Sequence, residues 1–265
     1  MSNEGNFTVD PKKPLILGAI GGLAGIYLVP INPILGPLFA ALGAVAAVIW
    51  GAEVVARVGS YGLGTGIPSI GYMALAIAII GILGGLSGSV FFGNIVWMGP
   101  LIGFILSMIV GGIAAILVTR VLKLKVPILL RCTVELSGAS ALSVLGFAAA
   151  IAGSYAMPVI LEKVVYTGFI ALLFILNTMI ISHPFNACFG PQENRRTTLK
   201  LASATGFMAM AIIGVLGIGL NQSWWLIALI GAIGWFVSIR AFIRASKDGA
   251  ASVKWSGWWP KEEEY

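Results

Sequence analysis

The chain has 265 residues, of which 58% are hydrophobic and only 10% are charged. Because a soluble domain carries about a quarter charged residues, this composition excludes a soluble globular enzyme and predicts a polytopic membrane protein. The net charge of +6 does not indicate binding to nucleic acid, since the cations lie in clusters between long uncharged runs.

Eight apolar runs follow one another along the chain and predict an all-α protein with about eight transmembrane helices. They cover approximately residues 15–29, 35–50, 70–92, 99–118, 132–153, 159–182, 198–220 and 223–243. The first run is short for a bilayer, so we expect either a locally thin region or an extension of the span by the proline-rich turn that follows it. No cleavable signal peptide is expected, because no small-residue cleavage site follows this run.

The lysines and arginines divide unevenly between the two sides that eight spans define. Fifteen of the 16 fall on one side, and only Lys163, beside Glu162, falls on the other. Since cytoplasmic loops carry the positive excess, we expect both termini in the cytoplasm and the protein in the cell membrane. The domains predicted are a cytoplasmic N-terminal segment (1–13), one membrane domain (14–245) and a cytoplasmic tail (246–265).

Glycines four residues apart inside the runs predict close approach of helix backbones. These pairs are Gly18/Gly22, Gly21/Gly25, Gly81/Gly85 and Gly84/Gly88. Such packing fits a helix bundle that also contacts other membrane subunits.

Glu135 is an acidic residue about one turn inside the fifth run, with Arg131 four residues before it. One interpretation is an ion pair between the two at the membrane interface; the other is an oxygen ligand or gate for a cation. At 100° per residue, Thr133, Ser137 and Ser140 share a face roughly opposite Glu135. One helix alone therefore cannot build a cation site from these four residues.

Asn177 and Thr178 form a polar pair deep in the sixth run. A polar pair at this depth must face protein or water, since lipid offers it no hydrogen bonds. Interhelical hydrogen bonding is one interpretation, and a place along an ion path is the other.

Two of the connections predicted on the cytoplasmic side, 51–69 and 183–197, are rich in glycine, proline and polar residues. The first begins with an amphipathic piece, in which Glu53 and Arg57 are spaced for an ion pair, and continues into the stretch SYGLGTGIPSIG at 60–71. Glycine there permits positive φ and close backbone approach. The residues that we expect to line a cytoplasmic cavity, or a surface in contact with a neighbouring subunit, are Gly62, Gly64, Gly66, Pro68, His183 and Asn186.

The second of these connections starts at His183, where we expect the sixth helix to end because Pro184 follows. Arg195 and Arg196 carry forked donors that suit an anionic coenzyme, although anchoring at a cytoplasmic face explains them equally well.

Several catalytic motifs are missing from the sequence. It contains no P-loop and no GxSxG nucleophile elbow. Two distant cysteines and a single histidine give neither a disulfide framework nor a zinc site. A corrinoid-type Asp-x-His-x-x-Gly run is also missing. We therefore assign no catalytic residue to this chain.

The stretch IWGAEVVARVGSYGLGTGIPSIG at 49–71, followed by HPFNACFGPQENRRTTL at 183–199, resembles the C subunit of the tetrahydromethanopterin S-methyltransferase complex of methanogenic archaea. The resemblance extends to the chain length and to the glycine-rich, charge-poor spans.

This resemblance implies a role in methanogenesis. It implies a complex that transfers a methyl group from methyl-tetrahydromethanopterin to coenzyme M and couples the transfer to sodium export. The corrinoid that carries the methyl group would lie on another subunit, and this chain would form the membrane core with the D and E subunits. A stand-alone transporter or channel, and a purely structural anchor, are the alternative interpretations.

Overall fold

The computed structural model describes residues 10–61, 66–93, 95–187, 195–218 and 224–250. Within these ranges the protein is helical and contains no strand, which confirms the all-α prediction. The helices are α1 (Lys12–Tyr27), α2 (Leu35–Gly59), α3 (Gly66–Phe91), α4 (Met98–Arg120), α5 (Leu129–Ala152), α6 (Met157–Ile160), α7 (Phe169–Ala187), α8 (Arg195–Gly217) and α9 (Trp224–Ala250). A 3-10 turn (Val29–Ile31) follows α1, and a π-helix (Leu161–Val165) follows α6.

Seven helices in the described part of the chain are long and apolar enough to cross a membrane. An eighth span results if the segments Met157–Val165 and Phe169–Phe185 are counted together, although they meet at an angle of 89°. The break contains Gly168, whose φ of +84° is a conformation that favours glycine. The predicted sixth run is therefore a sharply bent pair of segments instead of one straight helix.

Helices α2 and α5 lie at the centre of the bundle, where most of their residues are buried. Helices α1, α4 and α9 lie at its periphery and expose large apolar side chains. On α4 and α9 these exposed side chains include Ile105, Ile109, Ile113, Leu229, Ile233 and Phe236. Such surfaces suit contact with lipid chains or with other membrane subunits.

Neighbouring helices approach closely at glycines, as the sequence predicts. A Cβ atom on Gly25 of α1 would lie 2.5 Å from the carbonyl oxygen of Phe39 on α2. A Cβ atom on Gly85 of α3 would lie 2.6 Å from the carbonyl oxygen of Gly99 on α4. These distances are too short for any side chain, so hydrogen is the only substituent that permits the present packing.

The helices in each of four contacting pairs run antiparallel to each other; these pairs are α1–α2, α3–α4, α4–α5 and α8–α9. This arrangement brings most of the described lysines and arginines to one end of the bundle, which we call the positive end. It holds Lys12, Lys13, Arg57, Arg120, Lys123, Lys125, Arg131, Arg196, Lys200, Arg240 and Arg244. The uneven distribution agrees with the predicted charge topology; that the positive end faces the cytoplasm stays a prediction.

Helix α2 differs from the sequence prediction, because it runs unbroken from Leu35 to Gly59. The sequence predicts that the second span ends near residue 50 and that the segment 51–59 is an amphipathic piece of a cytoplasmic loop. Nearly all of 51–59 is instead buried in the bundle. The charged residues in it are tolerated because they form ion pairs inside the protein.

Helix α7 continues through His183 and Pro184 to Ala187, so the prediction that it ends at His183 is wrong. Proline cannot donate to the carbonyl four residues earlier, which here belongs to Ile180. The hydroxyl of Thr205 on α8 lies 3.3 Å from the Ile180 oxygen and 3.1 Å from the carbonyl oxygen of Ala202 in its own helix, so its one hydrogen is shared between these two acceptors. A neighbouring helix thus satisfies part of the backbone that the proline leaves unpaired.

The proline-rich turn between α1 and α2 contains a short helical segment. Its residues 29–31 form a 3-10 turn, and the Asn32 side-chain oxygen accepts N–H bonds from Ile34 (2.9 Å) and Leu35 (3.0 Å). Asn32 therefore caps the start of α2. Helix α1 itself begins at Lys12, three residues before the predicted first run.

Candidate functional site

A buried cluster of charges links α2 to α5 near the positive end. Arg57 lies at its centre, with its side chain 7% exposed. It is bonded to Glu53, one turn earlier on α2, through contacts of 2.6 Å (Nη2–Oε2) and 3.3 Å (Nε–Oε1). Across the helix interface it donates to Glu135 of α5 at 3.0 Å (Nη1–Oε1) and 2.5 Å (Nη2–Oε2). The forked guanidinium thus spans two carboxylates on two helices.

Arg131 completes this cluster from the surface. Its Nε donates to the Glu135 Oε1 at 2.7 Å, and its side chain is 62% exposed. The side chains of Glu53 and Glu135 are only 0% and 9% exposed. Among the described side chains, two carboxylates therefore face two guanidinium groups, and their charges compensate one another. Neutralisation of this kind permits charged residues inside an apolar bundle, where one unpaired ion would cost several kcal/mol.

These contacts decide part of what the sequence leaves open for Glu135. The ion pair with Arg131 is confirmed, and so is the pair between Glu53 and Arg57. The bond from Arg57 to Glu135 is not predicted, because the sequence pattern places Arg57 in a loop. One sequence signal for this bond is available. Glu53 and Arg57 near the end of one apolar helix, and Glu135 near the start of another, carry opposite charges at the same end of the bundle. A role for Glu135 on a sodium path stays a prediction.

The polar pair in α7 makes two different kinds of hydrogen bond. Asn177 is fully buried; its Nδ2 donates to the Leu173 carbonyl at 2.8 Å, and its Oδ1 accepts from the hydroxyl of Ser143 on α5. The predicted interhelical bond is therefore present at Asn177. Thr178 instead donates within its own helix, to the Phe174 carbonyl at 2.9 Å. A position of either residue on a sodium path stays a prediction.

Three hydroxyl residues of α5 are fully buried on a face away from Glu135, as the helical spacing predicts. Ser137 and the Thr133 carbonyl adjoin Gly111 of α4, whereas Glu135 points to α2. Ser137 donates to the Thr133 carbonyl at 2.7 Å. The hydroxyls of Thr133 and Ser140 have no hydrogen-bond partner within the described ranges.

The two stretches that carry the family resemblance meet at the positive end. A Cβ atom on Gly59 would overlap the Phe185 ring, and one on Gly71 would lie 2.7 Å from the Ser182 hydroxyl. The end of α2 and the start of α3 therefore adjoin the end of α7. That the two stretches form the wall of a cavity stays a prediction.

Several predicted site residues belong to these stretches. His183 lies exposed on α7, and Arg196 lies exposed on the first turn of α8. Gly66, Pro68, Asn186 and Arg195 lie within helix ends whose backbone alone is described, and Gly62 and Gly64 lie outside the described residues. No group of three or more metal-binding side chains occurs among the residues that the structure describes.

The whole sequence matches one protein family. The family described as the C subunit of tetrahydromethanopterin S-methyltransferase matches residues 2–263. The chain is 60% identical over 256 residues to the C subunit of this enzyme from Methanothermobacter thermautotrophicus, a match that covers 97% of this chain and 95% of that protein. It is 40% identical to the C subunit from Methanosarcina barkeri (96% and 94% covered) and 36% identical to that from Methanococcus maripaludis (94% and 93% covered).

Proposed function

Because this chain belongs to the family of tetrahydromethanopterin S-methyltransferase C subunits, we propose that it is an integral membrane subunit of a sodium-exporting methyltransferase complex. That complex transfers a methyl group from methyl-tetrahydromethanopterin to coenzyme M. The membrane subunits D and E and the corrinoid-carrying subunit are its partners in this proposal. The match along nearly the full lengths of both chains supports it, together with at least seven helices that are suited to a membrane.

The contribution of this chain is a packed scaffold within the membrane core. This conclusion rests on the observation that the buried charges of the chain pair with one another. Both oxygens of Glu135 accept bonds from arginine, and Arg57 beside it carries a positive charge that repels a sodium ion. A sodium path through the α2–α5 interface would have to displace these pairs. We therefore propose that any sodium path avoids the α2–α5 interface.

We propose that another subunit holds the corrinoid of the complex. His183, the single histidine of the sequence, lies exposed on α7 and lines neither the cavity beside Arg131 nor the one beside Glu162 and Lys163. The cavity nearest the buried charges has mostly apolar walls. We accordingly assign no step of methyl transfer to this chain. Arg196 and Arg195 stay candidates for contact with an anionic coenzyme at the positive end.

Purification of the intact complex tests this proposal. An affinity tag on this chain should recover, in mild detergent, a multi-subunit complex that has a corrinoid absorption spectrum and transfers methyl groups to coenzyme M. In proteoliposomes, this complex should transport sodium only while methyl transfer proceeds. The same tagged chain, purified and reconstituted alone, is the control and should transport no sodium. Sodium flux through the isolated chain would instead support a stand-alone transporter.

Two isosteric variants test the scaffold role within that complex. Glu135→Gln and Asn177→Leu should each lower the yield of complex, because they disturb buried hydrogen bonds. In the complex that remains, the ratio of sodium ions exported to methyl groups transferred should be unchanged. A Glu135→Gln complex that transfers methyl groups at the normal rate but exports no sodium would contradict the scaffold role and place Glu135 on the ion path.

A further inference from the structure

A cavity of about 640 Å³ lies at the positive end, between the last turn of α4 and the first turns of α5. Most of its lining is apolar, and the side chains that form this wall include Val126, Leu129, Leu130 and Val134. Arg131 lies at the polar part of the same cavity. The cavity thus combines an apolar wall with a cation where two membrane-spanning helices end.

Arg131 has unused hydrogen-bonding capacity. Its Nε donates to Glu135, whereas its Nη1 and Nη2 make no hydrogen bond within the described part of the chain. Two terminal nitrogens of one planar guanidinium can bind two oxygens of an anionic group simultaneously. Because the side chain is 62% exposed, such a group can reach it without penetrating the helix bundle.

The surroundings of this cavity are positively charged. Arg120, Lys123 and Lys125 are exposed on the segment that joins α4 to α5. No acidic residue occurs between positions 118 and 134. Glu135 itself lines the cavity, but both of its oxygens are bonded to arginine, which compensates its negative charge. An anionic group at Arg131 therefore meets attraction from several cations and little repulsion.

These features together select the ligand class. A small soluble anion such as phosphate would use the cations but leave the apolar wall in contact with water. An apolar helix from another protein would cover the wall but leave the guanidinium without a partner. An amphiphile with an anionic phosphate head and apolar chains satisfies both, and a bilayer presents such molecules at the depth where helices end.

We propose that this cavity binds an anionic phospholipid, with the phosphate on Arg131 and a chain along Val126, Leu130 and Val134. The basic segment 120–125 lies over the headgroup and favours lipids with a net negative charge. This site is independent of the role proposed above for the complex.

Photocrosslinking tests the site in the tagged complex. The probe is phosphatidylglycerol with a photoactivatable chain, and mass spectrometry measures crosslinks to peptides that cover residues 126–135. Arg131→Gln should reduce these crosslinks about tenfold, the factor that corresponds to about 1.4 kcal/mol. Arg244→Gln is the matched control, since it removes an exposed cation of the same end that does not line the cavity; it should leave the crosslinks unchanged.

Two further arms separate the alternatives. Phosphatidylcholine with the same chain should crosslink several-fold less, and Leu130→Asn should weaken the phosphatidylglycerol crosslinks without a change in charge. Excess inorganic phosphate should compete no better than chloride at equal ionic strength. Equal crosslinks in wild type and Arg131→Gln would overturn the proposal. Displacement of the lipid by phosphate would also overturn it, in favour of a soluble anion. Release of a sister subunit by Arg131→Gln, with no crosslinks in wild type, would overturn it in favour of a protein partner.

Discussion

Arg57 is the buried centre of the charge cluster, and Arg57→Met tests how much the cluster stabilises the bundle. The substitution leaves the carboxylates of Glu53 and Glu135 close together, with side-chain exposures of 0% and 9%. Loss of one partner from a buried ion pair costs about 3–5 kcal/mol, because the remaining charge keeps its desolvation penalty. Arg131→Gln is the matched control. It removes another arginine from the same Glu135, but one that is 62% exposed, so about 0–1 kcal/mol is expected.

Thermal stability of the tagged complex measures the difference between these two variants. At roughly 2–4 °C per kcal/mol for a chain of this size, Arg57→Met should lower the melting temperature by about 6–20 °C. Arg131→Gln should lower it by no more than about 4 °C on the same scale. Should Arg57→Met fail to assemble, its yield relative to Arg131→Gln gives the same comparison.

Neutral replacements show whether the loss of a compensating charge causes the loss of stability. Adding Glu53→Gln and Glu135→Gln to Arg57→Met removes the two carboxylate charges that Arg57 bonds in the wild type, while the side-chain size is retained. The triple variant should therefore be more stable than Arg57→Met alone. The reasoning is refuted if the complexes with Arg57→Met and Arg131→Gln have the same melting temperature. It is also refuted if the triple variant is no more stable than Arg57→Met.

Two other contacts give predictions with internal controls. Thr205→Val should destabilise the complex by at most about 1 kcal/mol, because the hydrogen that it removes is shared between the Ile180 and Ala202 carbonyls. In a Pro184→Ala background, where the helix can bond the Ile180 carbonyl itself, the loss measured by the same melting assay should be smaller; equal losses would contradict this account. Gly25→Ala should destabilise the α1–α2 contact by about 1–3 kcal/mol, since the added Cβ would lie 2.5 Å from a carbonyl oxygen. Gly21→Ala on the same helix places its Cβ at an ordinary 3.8 Å from the nearest atom and should change the melting temperature little.

Much of the fold follows from the sequence, because a bilayer requires long apolar helices. The apolar runs correspond to the helices α1–α5, α8 and α9, and the glycine pairs correspond to close helix contacts. Ion pairs four residues apart are also predictable, since helical geometry alone brings Glu53 to Arg57 and Arg131 to Glu135. These successes rest on periodicity within single helices.

The two main errors have a common physical origin. The charges at positions 53 and 57 indicate a loop, and Pro184 indicates a helix end, since each is unfavourable in an isolated apolar helix. In the protein, both helices continue because another helix supplies what the local sequence lacks. Glu135 of α5 neutralises Arg57, and Thr205 of α8 donates to the backbone that Pro184 leaves unpaired. The partners are 78 and 21 residues away in sequence, so local rules cannot identify them.

Contacts of this kind also help to determine which helices pair. In a membrane, apolar side chains gain little from one apolar neighbour over another, because lipid chains are equally apolar. A buried polar group discriminates strongly, since an incorrect neighbour leaves it without a partner. The bond between Arg57 and Glu135 therefore favours packing of α2 against α5. In the same way, the bond between Asn177 and Ser143 favours packing of α7 against α5, and the contact of Thr205 with the Ile180 carbonyl favours packing of α8 against α7. Glu135 and Asn177, which first suggest an ion path, thus also have a structural role in helix pairing, which is why sodium transport must be measured separately from assembly.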